Sequence, residues 1–254
     1  MKCFLPIFFS VILLIISCTS KEKTLIAEPE CAEENNTELA DVNMDSVINE
    51  DEQWLCDCSA SEPEFHMVDV GAINLHVACQ GAGPTIILLH GFPEFWYSWK
   101  KVMNELAADF RLIVPDQRGY NLSDKPGAVA DYVIDSLLTD IGALIDRVST
   151  EPVVILGHDW GGPVAWGQEN AIWGGLNWYR AASFDSAATQ VTIDVPTLVL
   201  WGLDDTALLP QNLDGLDEYV PDLEIITYEE VSHWIEHEIP LEISQEIRRF
   251  VQEN

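Results

Sequence analysis

The sequence has few basic residues: 12 lysines and arginines stand against 43 aspartates and glutamates, which gives a formal net charge of −31. A protein with this charge repels phosphate backbones and anionic lipid headgroups. Nucleic acids and acidic membrane surfaces are therefore excluded as predicted partners.

The N-terminal apolar run is too short to cross a bilayer. It extends over 13 residues from Phe4 to Ile16, whereas a spanning helix needs about 20. It follows Lys2 and ends at Ser17-Cys18, which resembles the lipobox of bacterial lipoproteins. We predict that residues 1–17 are a signal peptide that is removed and that Cys18 is lipidated. The protein would then be exported and held by this lipid anchor alone at a bacterial membrane, facing the periplasm or the exterior. The alternative is a plain secretory signal cleaved near Ser20, which also predicts export.

Residues 18–64 lack any sustained hydrophobic periodicity. Between Lys21 and Glu64 there are fourteen acidic residues against two lysines. Few apolar side chains and a high net charge are typical of disordered segments. We therefore interpret residues 18–64 as an acidic tether and residues 65–254 as the folded domain.

Cysteine is scarce once the N-terminus is set aside, because Cys3 belongs to the signal peptide and Cys18 would carry lipid. Four others remain: Cys31, Cys56, Cys58 and Cys79. An even number in an exported chain permits disulfides, although Cys79 lies in a strand pattern and could equally be a buried thiol. No histidine lies among the first three of these four, so we predict no metal site. No cofactor is predicted either.

The most informative stretch is residues 153–166, VVILGHDWGGPVAW. Its first four residues are typical of a buried parallel strand. The next five have the G-x-S-x-G spacing of a nucleophile elbow, with Asp159 in place of serine. This pattern makes Asp159 the candidate nucleophile. The alternative is an ordinary strand–turn–helix in which Asp159 is a helix N-cap.

An aspartate at this position indicates a particular chemistry. Its carboxylate is ionised at neutral pH and can attack a saturated carbon without a base, which forms an alkyl ester of the enzyme. Hydrolysis of that ester needs an activated water and donors for an oxyanion, so a histidine and backbone N–H groups are required in a second step.

Strands and helices alternate along the folded domain. Buried strands are predicted at residues 85–89, 111–114, 153–156, 197–201 and 223–228, with helices between them at residues 95–108, 133–148 and 212–219 and a last helix at 240–252. This order predicts a mostly parallel sheet with helices on both faces. Asp159, Asp205 and His233 each follow a strand, in the order nucleophile, acid, base that is typical of α/β-hydrolases.

Five motifs carry a family resemblance: HGFP, DQRGYNLSDKP, GHDWGG, WGLDD and VSHW. Together they resemble an epoxide hydrolase of the α/β-hydrolase family, to which the haloalkane dehalogenases are close relatives. The resemblance implies the α/β-hydrolase fold and a small-molecule epoxide as substrate. It also implies that Asp159 is the nucleophile, that His233 activates water, and that Asp205 orients His233. The neighbouring Asp204 is interpreted as a solvated loop carboxylate.

The resemblance implies three further roles. The backbone N–H groups of Phe92 and Trp160 would form the oxyanion hole, and Tyr179 would correspond to a lid tyrosine that protonates the epoxide oxygen. The alternative for Tyr179 is an amphipathic residue on a surface helix. The dehalogenase relatives usually have asparagine where this chain has Phe92, so one halide donor would be missing.

The chain departs from the family between the elbow helix and the acid strand. Only residues 171–195 are available there, so a lid remnant at about 171–190 is expected, without one core strand and most of the lid. Either the strand at 197–201 moves beside the elbow strand, or the sheet keeps a gap with unpaired edges. Two alternatives to an epoxide hydrolase stay open: a haloalkane dehalogenase-like hydrolase and an inactive truncated lipoprotein that retains the motifs. No oligomeric state follows from the sequence.

Overall fold

The computed structural model of the chain describes residues 12–16, 47–48, 54, 57–162, 164–165 and 193–254. Within these ranges nine strands form one sheet. The strands are β1 (Ile12–Ile16), β2 (Val47–Ile48), β3 (Glu64–Asp69), β4 (Asn74–Gln80), β5 (Thr85–Leu89), β6 (Arg111–Pro115), β7 (Val154–Gly157), β8 (Thr197–Gly202) and β9 (Leu223–Tyr228). The α-helices are α1 (Lys100–Leu106), α2 (Ile134–Val148), α3 (Ile235–Glu238) and α4 (Pro240–Glu253).

The strands lie in the order β2-β3-β4-β6-β5-β7-β1-β8-β9. β6, β5 and β7 pair in parallel, as do β8 and β9. Parallel strands that are covered on both faces need nearly continuous apolar residues, and β5 (TIILL) and β7 (VILG) supply them. The carboxyl ends of β5, β7, β8 and β9 meet at one edge of the sheet, so the loops with the candidate residues share that edge.

Helices cover both faces of the sheet. Because side chains alternate along a strand, Leu88 of β5 packs with α1 and α4, in a cluster that includes Met103 and Ile247. Leu89, the next residue of β5, packs with α2 on the opposite face, in a cluster that includes Ile141. The predicted architecture of a sheet between two helical layers is confirmed, and the sheet is mixed, because four of its eight strand pairings are antiparallel.

The position beside the elbow strand β7 is occupied by β1. This strand runs antiparallel to both of its neighbours, with Leu14 opposite Leu156 of β7 and opposite Leu198 of β8. Both expected arrangements, β8 beside β7 and an open gap, are therefore wrong. Residues 12–16 can fill the position because they are an uncharged, apolar segment of strand length. They lie within the predicted signal peptide, whose removal stays a prediction.

The folded part begins before residue 65. The indole of Trp54 is buried beneath the Arg111 guanidinium, and the Trp54 N–H donates to the Arg147 carbonyl over 2.7 Å. Cys58 forms a disulfide with Cys79 of β4, which decides between the two states considered for Cys79. The end of the predicted tether is thus attached to the sheet.

Two elements differ from their sequence predictions. The helix expected at 95–108 starts as a 3-10 turn, Trp96–Trp99, before α1. The helix expected at 212–219 is two 3-10 turns, Pro210–Leu213 and Leu216–Glu218, because Gly215 between them has a left-handed backbone with φ +83°. In the part of the chain that the structure describes, no helix has the length and apolarity to cross a membrane. The expected lid remnant at 171–190 lies outside the described residues.

Candidate active site

The turn after β7 holds Asp159 in a strained conformation, with φ +48°. Glycines on each side make the turn possible through close approach. A Cβ on Gly157 would lie 2.2 Å from the Gly161 carbonyl oxygen, and a Cβ on Gly161 would lie 2.1 Å from the Leu89 carbonyl oxygen. A left-handed non-glycine residue costs about 1–3 kcal/mol and is typical of functional sites. The G-x-D-x-G spacing is therefore sterically required, and it raises Asp159 above the sheet edge.

The two carboxylate oxygens of Asp159 have different surroundings. Oδ1 accepts a 2.8 Å hydrogen bond from the Phe92 N–H, at the end of β5. Oδ2 lies 3.7 Å from Nε2 of His233. A Cβ on Gly91 would lie 2.4 Å from the Asp159 Cβ, so this glycine is what lets the side chain reach the Phe92 N–H. One oxygen is held by a backbone donor while the other faces a base.

His233 is oriented by Asp205. Nδ1 of His233 lies 2.9 Å from Oδ2 of Asp205, and Oδ1 of Asp205 accepts 2.8 Å hydrogen bonds from the N–H groups of Ala207 and Leu208. Burial raises the pKa of Asp205, but the hydrogen bonds from His233 and these two amides outweigh it, so that pKa lies below its ordinary value. An ionised Asp205 favours the proton of His233 on Nδ1, which leaves Nε2 as an acceptor that faces Asp159.

The structure brings Asp159, Asp205 and His233 together and separates Asp204 from them. Asp204 is exposed, and its backbone N–H donates to the Val231 carbonyl. Asp205, which follows it, is buried against His233. Of the two aspartates, Asp205 is therefore the one that contacts His233, and its role as the orienting acid stays a prediction.

Of the remaining predicted site residues, the structure describes Phe92 and Trp160. Phe92 offers its N–H to Asp159, as expected for an oxyanion donor. The Trp160 ring is partly buried against the α2 side of the core, and its role as the second donor stays a prediction. Tyr179 and Cys18 lie outside the described residues.

His90 supports the loop that carries Phe92. Its Nε2 accepts a 3.0 Å hydrogen bond from the Gln117 N–H, so its Nδ1 carries the proton and donates to the Gly91 carbonyl over 2.8 Å. Burial lowers the pKa of His90, which keeps this ring neutral. Both ring nitrogens bond to the backbone, and the ring packs edge-on against Tyr120 with 4.8 Å between the centroids, so its role is structural.

Sequence reasoning missed a cluster of ionisable side chains behind His233: Glu94, His158, Glu236 and His237. Nε2 of His158 donates a 2.8 Å hydrogen bond to the main-chain carbonyl of His233. Burial lowers the pKa of His158, but Glu236 and Glu94 reverse this and raise it to about 10, so His158 is a cation. Burial raises the pKa of Glu236 to about 7. The signal that could have found this cluster is the set of acids and histidines inside HGFPE, GHD and HWIEHE.

Comparisons with solved structures support the fold. The chain superposes on a Bacillus megaterium epoxide hydrolase with a TM-score of 0.67 and 22% identity, over 74% of this chain and 100% of that one. An epoxide hydrolase from Vigna radiata gives a TM-score of 0.70 and 23% identity, over 78% and 100%.

Sequence relatives include epoxide hydrolases, matched over short stretches. Epoxide hydrolase 1 of Caenorhabditis elegans is 45% identical over 96 residues, which are 37% of this chain and 24% of the relative. Epoxide hydrolase 2 of Siraitia grosvenorii is 38% identical over 104 residues, 41% and 33% respectively. The chain therefore spans about a quarter to a third of these relatives' lengths.

A third relative is matched over nearly its whole length. The AB hydrolase superfamily protein YfhM of Bacillus subtilis is 30% identical over 275 residues, which are 72% of this chain and 96% of that protein. Since 72% of 254 residues is about 183, about 90 of the 275 aligned positions have no counterpart here. A family model of the alpha/beta hydrolase fold also matches residues 84–166. The chain belongs to the α/β hydrolase superfamily and, within it, is epoxide hydrolase-like.

Proposed function

We propose that the protein opens epoxides to diols through a covalent ester of Asp159. The observation that carries this proposal is the arrangement of the Asp159 carboxylate, with Oδ1 bonded to the Phe92 N–H and Oδ2 free to face substrate and His233. A carboxylate in this position needs no base to attack carbon. The epoxide hydrolases among the relatives support the choice of substrate.

In the first step Oδ2 attacks one epoxide carbon. The bond between that carbon and the epoxide oxygen breaks, and its electron pair stays on the oxygen as an alkoxide. A general acid must protonate this oxygen, and we assign that role to Tyr179, since a phenol can donate such a proton. Asp159 is then a neutral ester whose carbonyl oxygen is Oδ1.

In the second step His233 takes a proton from water, and the resulting hydroxide attacks Cγ of Asp159. Oδ1 becomes an oxyanion, and the Phe92 N–H is already in hydrogen-bond contact with it. Loss of one such donor costs about 2.7–4 kcal/mol of transition-state stabilisation. Collapse of the intermediate breaks the bond between Cγ and Oδ2 and releases the diol, whose alkoxide takes the proton from His233. The Asp159 carboxyl group, which now carries the hydroxyl from water, returns its proton to the phenolate left on Tyr179 in the first step. The Asp159 carboxylate then keeps one oxygen from water.

Oxygen transfer gives a direct test. A single turnover of excess enzyme with an aryl epoxide in ¹⁸O-labelled water should place ¹⁸O in the peptide that contains Asp159 and leave the first diol unlabelled. A His233→Gln variant should accumulate the ester on Asp159. Label in the diol alone, with none in the enzyme, would overturn the proposal because it would mean direct attack by water.

The same experiment with a haloalkane in place of the epoxide tests the second candidate substrate. A haloalkane would be attacked by the same oxygen and would release halide in place of an alkoxide. Burst release of chloride from a chloroalkane, with ester formation on Asp159 and no reaction of the epoxide, would identify the dehalogenase alternative. Absence of an ester with both substrates would favour an inactive protein that retains the motifs.

We also propose that the protein is exported and lipidated at Cys18, in which case residues 1–17 are removed and the mature sheet lacks β1. The Cys58–Cys79 disulfide supports this proposal, because disulfides persist mainly in oxidising compartments outside the cytosol. Mass spectrometry of the mature N-terminus should find a diacylglyceryl group on Cys18, and a Cys18→Ala variant should lose it. An unmodified Cys18 in membrane fractions would end this proposal.

A further inference from the structure

The mechanism above makes no use of the ionisable cluster behind His233. Its four members come from three parts of the chain: Glu94 from the loop after β5, His158 from the elbow, and Glu236 with His237 from α3. His158 bonds to the His233 main-chain carbonyl, and the centroids of the two rings lie 4.9 Å apart, so the cluster packs against His233.

Three ligand atoms of this cluster converge. Oε1 of Glu94 lies 2.9 Å from Nε2 of His237, and Oε1 of Glu236 lies 3.5 Å from the same nitrogen. All three atoms lie within 4.8 Å of one another. Tetrahedral zinc with bonds of about 2.0–2.1 Å holds its ligand atoms about 3.3–3.4 Å apart. The 3.5 Å contact is close to this spacing, and the 2.9 Å contact is a hydrogen bond that a shared ion would replace.

Glu236 supplies an independent sign that a ligand belongs here. Its side chain is fully buried, yet within the described residues neither carboxylate oxygen accepts a hydrogen bond from another residue. Its charge contacts are longer, at 3.5 Å to His237 and 3.6 Å to His158. A buried carboxylate is costly unless it is hydrogen-bonded or coordinates a metal. Its Oε1 is directed at the other two ligand atoms.

We propose that Glu94, Glu236 and His237 bind a divalent transition-metal ion, with zinc as the best fit. Two carboxylate oxygens and one imidazole nitrogen are a donor set that zinc accepts. His237 is 39% exposed, so the ion can enter from solvent.

His158 completes the site as an orienting residue. Its Nδ1 lies 3.2 Å from Oε2 of Glu94, and its Nε2 lies 3.6 Å from Oε2 of Glu236. Each carboxylate therefore offers Oε1 to the ion and Oε2 to His158. Partners of this kind orient metal ligands, and their loss typically lowers affinity about 10- to 100-fold.

Zinc binding by the untagged full-length protein tests the proposal directly. The protein is stripped with EDTA, desalted and titrated with Zn²⁺ against a chromophoric zinc indicator. We expect one equivalent per chain, with at least about tenfold weaker binding in Glu236→Gln and in His237→Gln. Co²⁺ in place of zinc should give a visible absorption band that both variants lose.

Glu238→Gln is the matched control, because Glu238 lies on the same short helix but is exposed and bonds to Ser232. Its zinc affinity should equal that of the wild type. Near-UV circular dichroism checks folding, and His237→Gln alters a partly exposed side chain in case Glu236→Gln fails to fold. Absence of a stoichiometric zinc ion, or unchanged affinity in His237→Gln, would overturn the proposal.

Discussion

The sheet is built differently on the two sides of the elbow strand. On one side β7 pairs directly with β5, and these two strands carry Asp159 and the Phe92 donor at their ends. On the other side β8 and β9 carry Asp205 and His233, but β8 reaches β7 only through the antiparallel strand β1. His233 and Asp159, which approach to 3.7 Å, therefore belong to two halves of the sheet that are connected by β1, a distant part of the chain. Local motifs specify each half of the site, while β1 specifies their relative position.

The largest expected effects are on activity, and they assign one reaction step to each half of the site. Asp159→Ala should lower turnover of an epoxide by about 10⁴-fold or more, because it removes the nucleophile of the first step. His233→Gln should give a burst of ester followed by little turnover, because only the second step needs a base. Asp204→Ala, at the exposed neighbour of Asp205, is the control and should keep nearly full activity. Equal loss of both steps in His233→Gln would mean that the division between the halves is wrong.

A proline in β1 tests the connection that this strand makes between β7 and β8. Leu14→Pro removes a backbone N–H from a strand that pairs on both sides, so we expect a loss of about 3 kcal/mol or more in the free energy of unfolding. Leu5→Pro, in the same apolar run but outside β1, is the matched control. Urea unfolding gives the magnitude, and hydrogen exchange should show faster opening of β7 and β8 in Leu14→Pro alone. A chain that begins at Cys18 should behave like Leu14→Pro. Equal stability of the two proline variants would contradict the pairing.

The disulfide should affect the nucleophile side only. Cys58→Ser with Cys79→Ser opens a loop with a sequence separation of 21, and a loop of this size predicts a loss of about 3 kcal/mol. Because Cys79 lies in β4, hydrogen exchange should increase in β3 and β4 and stay unchanged in β8 and β9. Increased exchange across β8 and β9 would show that the two halves unfold as one unit.

The smallest expected effect is on the stability of the fold at low pH. The folded-state pKa of Asp205 is below its ordinary value, so its ionised form stabilises the fold at pH values above about 4, the pKa of an unfolded aspartate. That contribution is lost as the pH falls through the folded-state pKa. The stability difference between the wild type and Asp205→Asn should therefore shrink below about pH 4, as measured by urea unfolding at stepped pH. A difference that stays constant down to pH 2 would contradict the lowered pKa.

Most of the site was predictable because its parts are local. The elbow, the HGFP loop and the turns after β8 and β9 each combine a strand pattern with glycines or charged residues at fixed spacing. The preference for Asp205 over Asp204 came from the family resemblance that these motifs carry. These signals depend on neighbours within a few residues, which a single sequence displays.

The pairing of β1 with β7 and β8 and the ionisable cluster behind His233 were not predictable in this way. The pairing of β1 depends on which segment fits an empty position between β7 and β8, and an apolar run near an N-terminus resembles a leader more strongly than a core strand. Glu236 and His237 belong to a helix of only four residues, Ile235–Glu238, and their convergence with Glu94 requires the tertiary fold. Residues 212–219 were predicted as one helix, whereas the left-handed backbone of Gly215 separates two 3-10 turns.

The position of β1 has a consequence for the order in which the protein folds. Ile16 pairs with Val154, and Ile12 pairs with Leu200, so the strand that is synthesised first cannot be placed until most of the chain has left the ribosome. Pairing over such a separation is slow, and the segment stays exposed in the meantime. During that interval any factor that binds nascent apolar segments competes with the sheet for residues 12–16. Whether a newly made chain folds would then depend on which happens first, binding of residues 12–16 by such a factor or synthesis of the last strands.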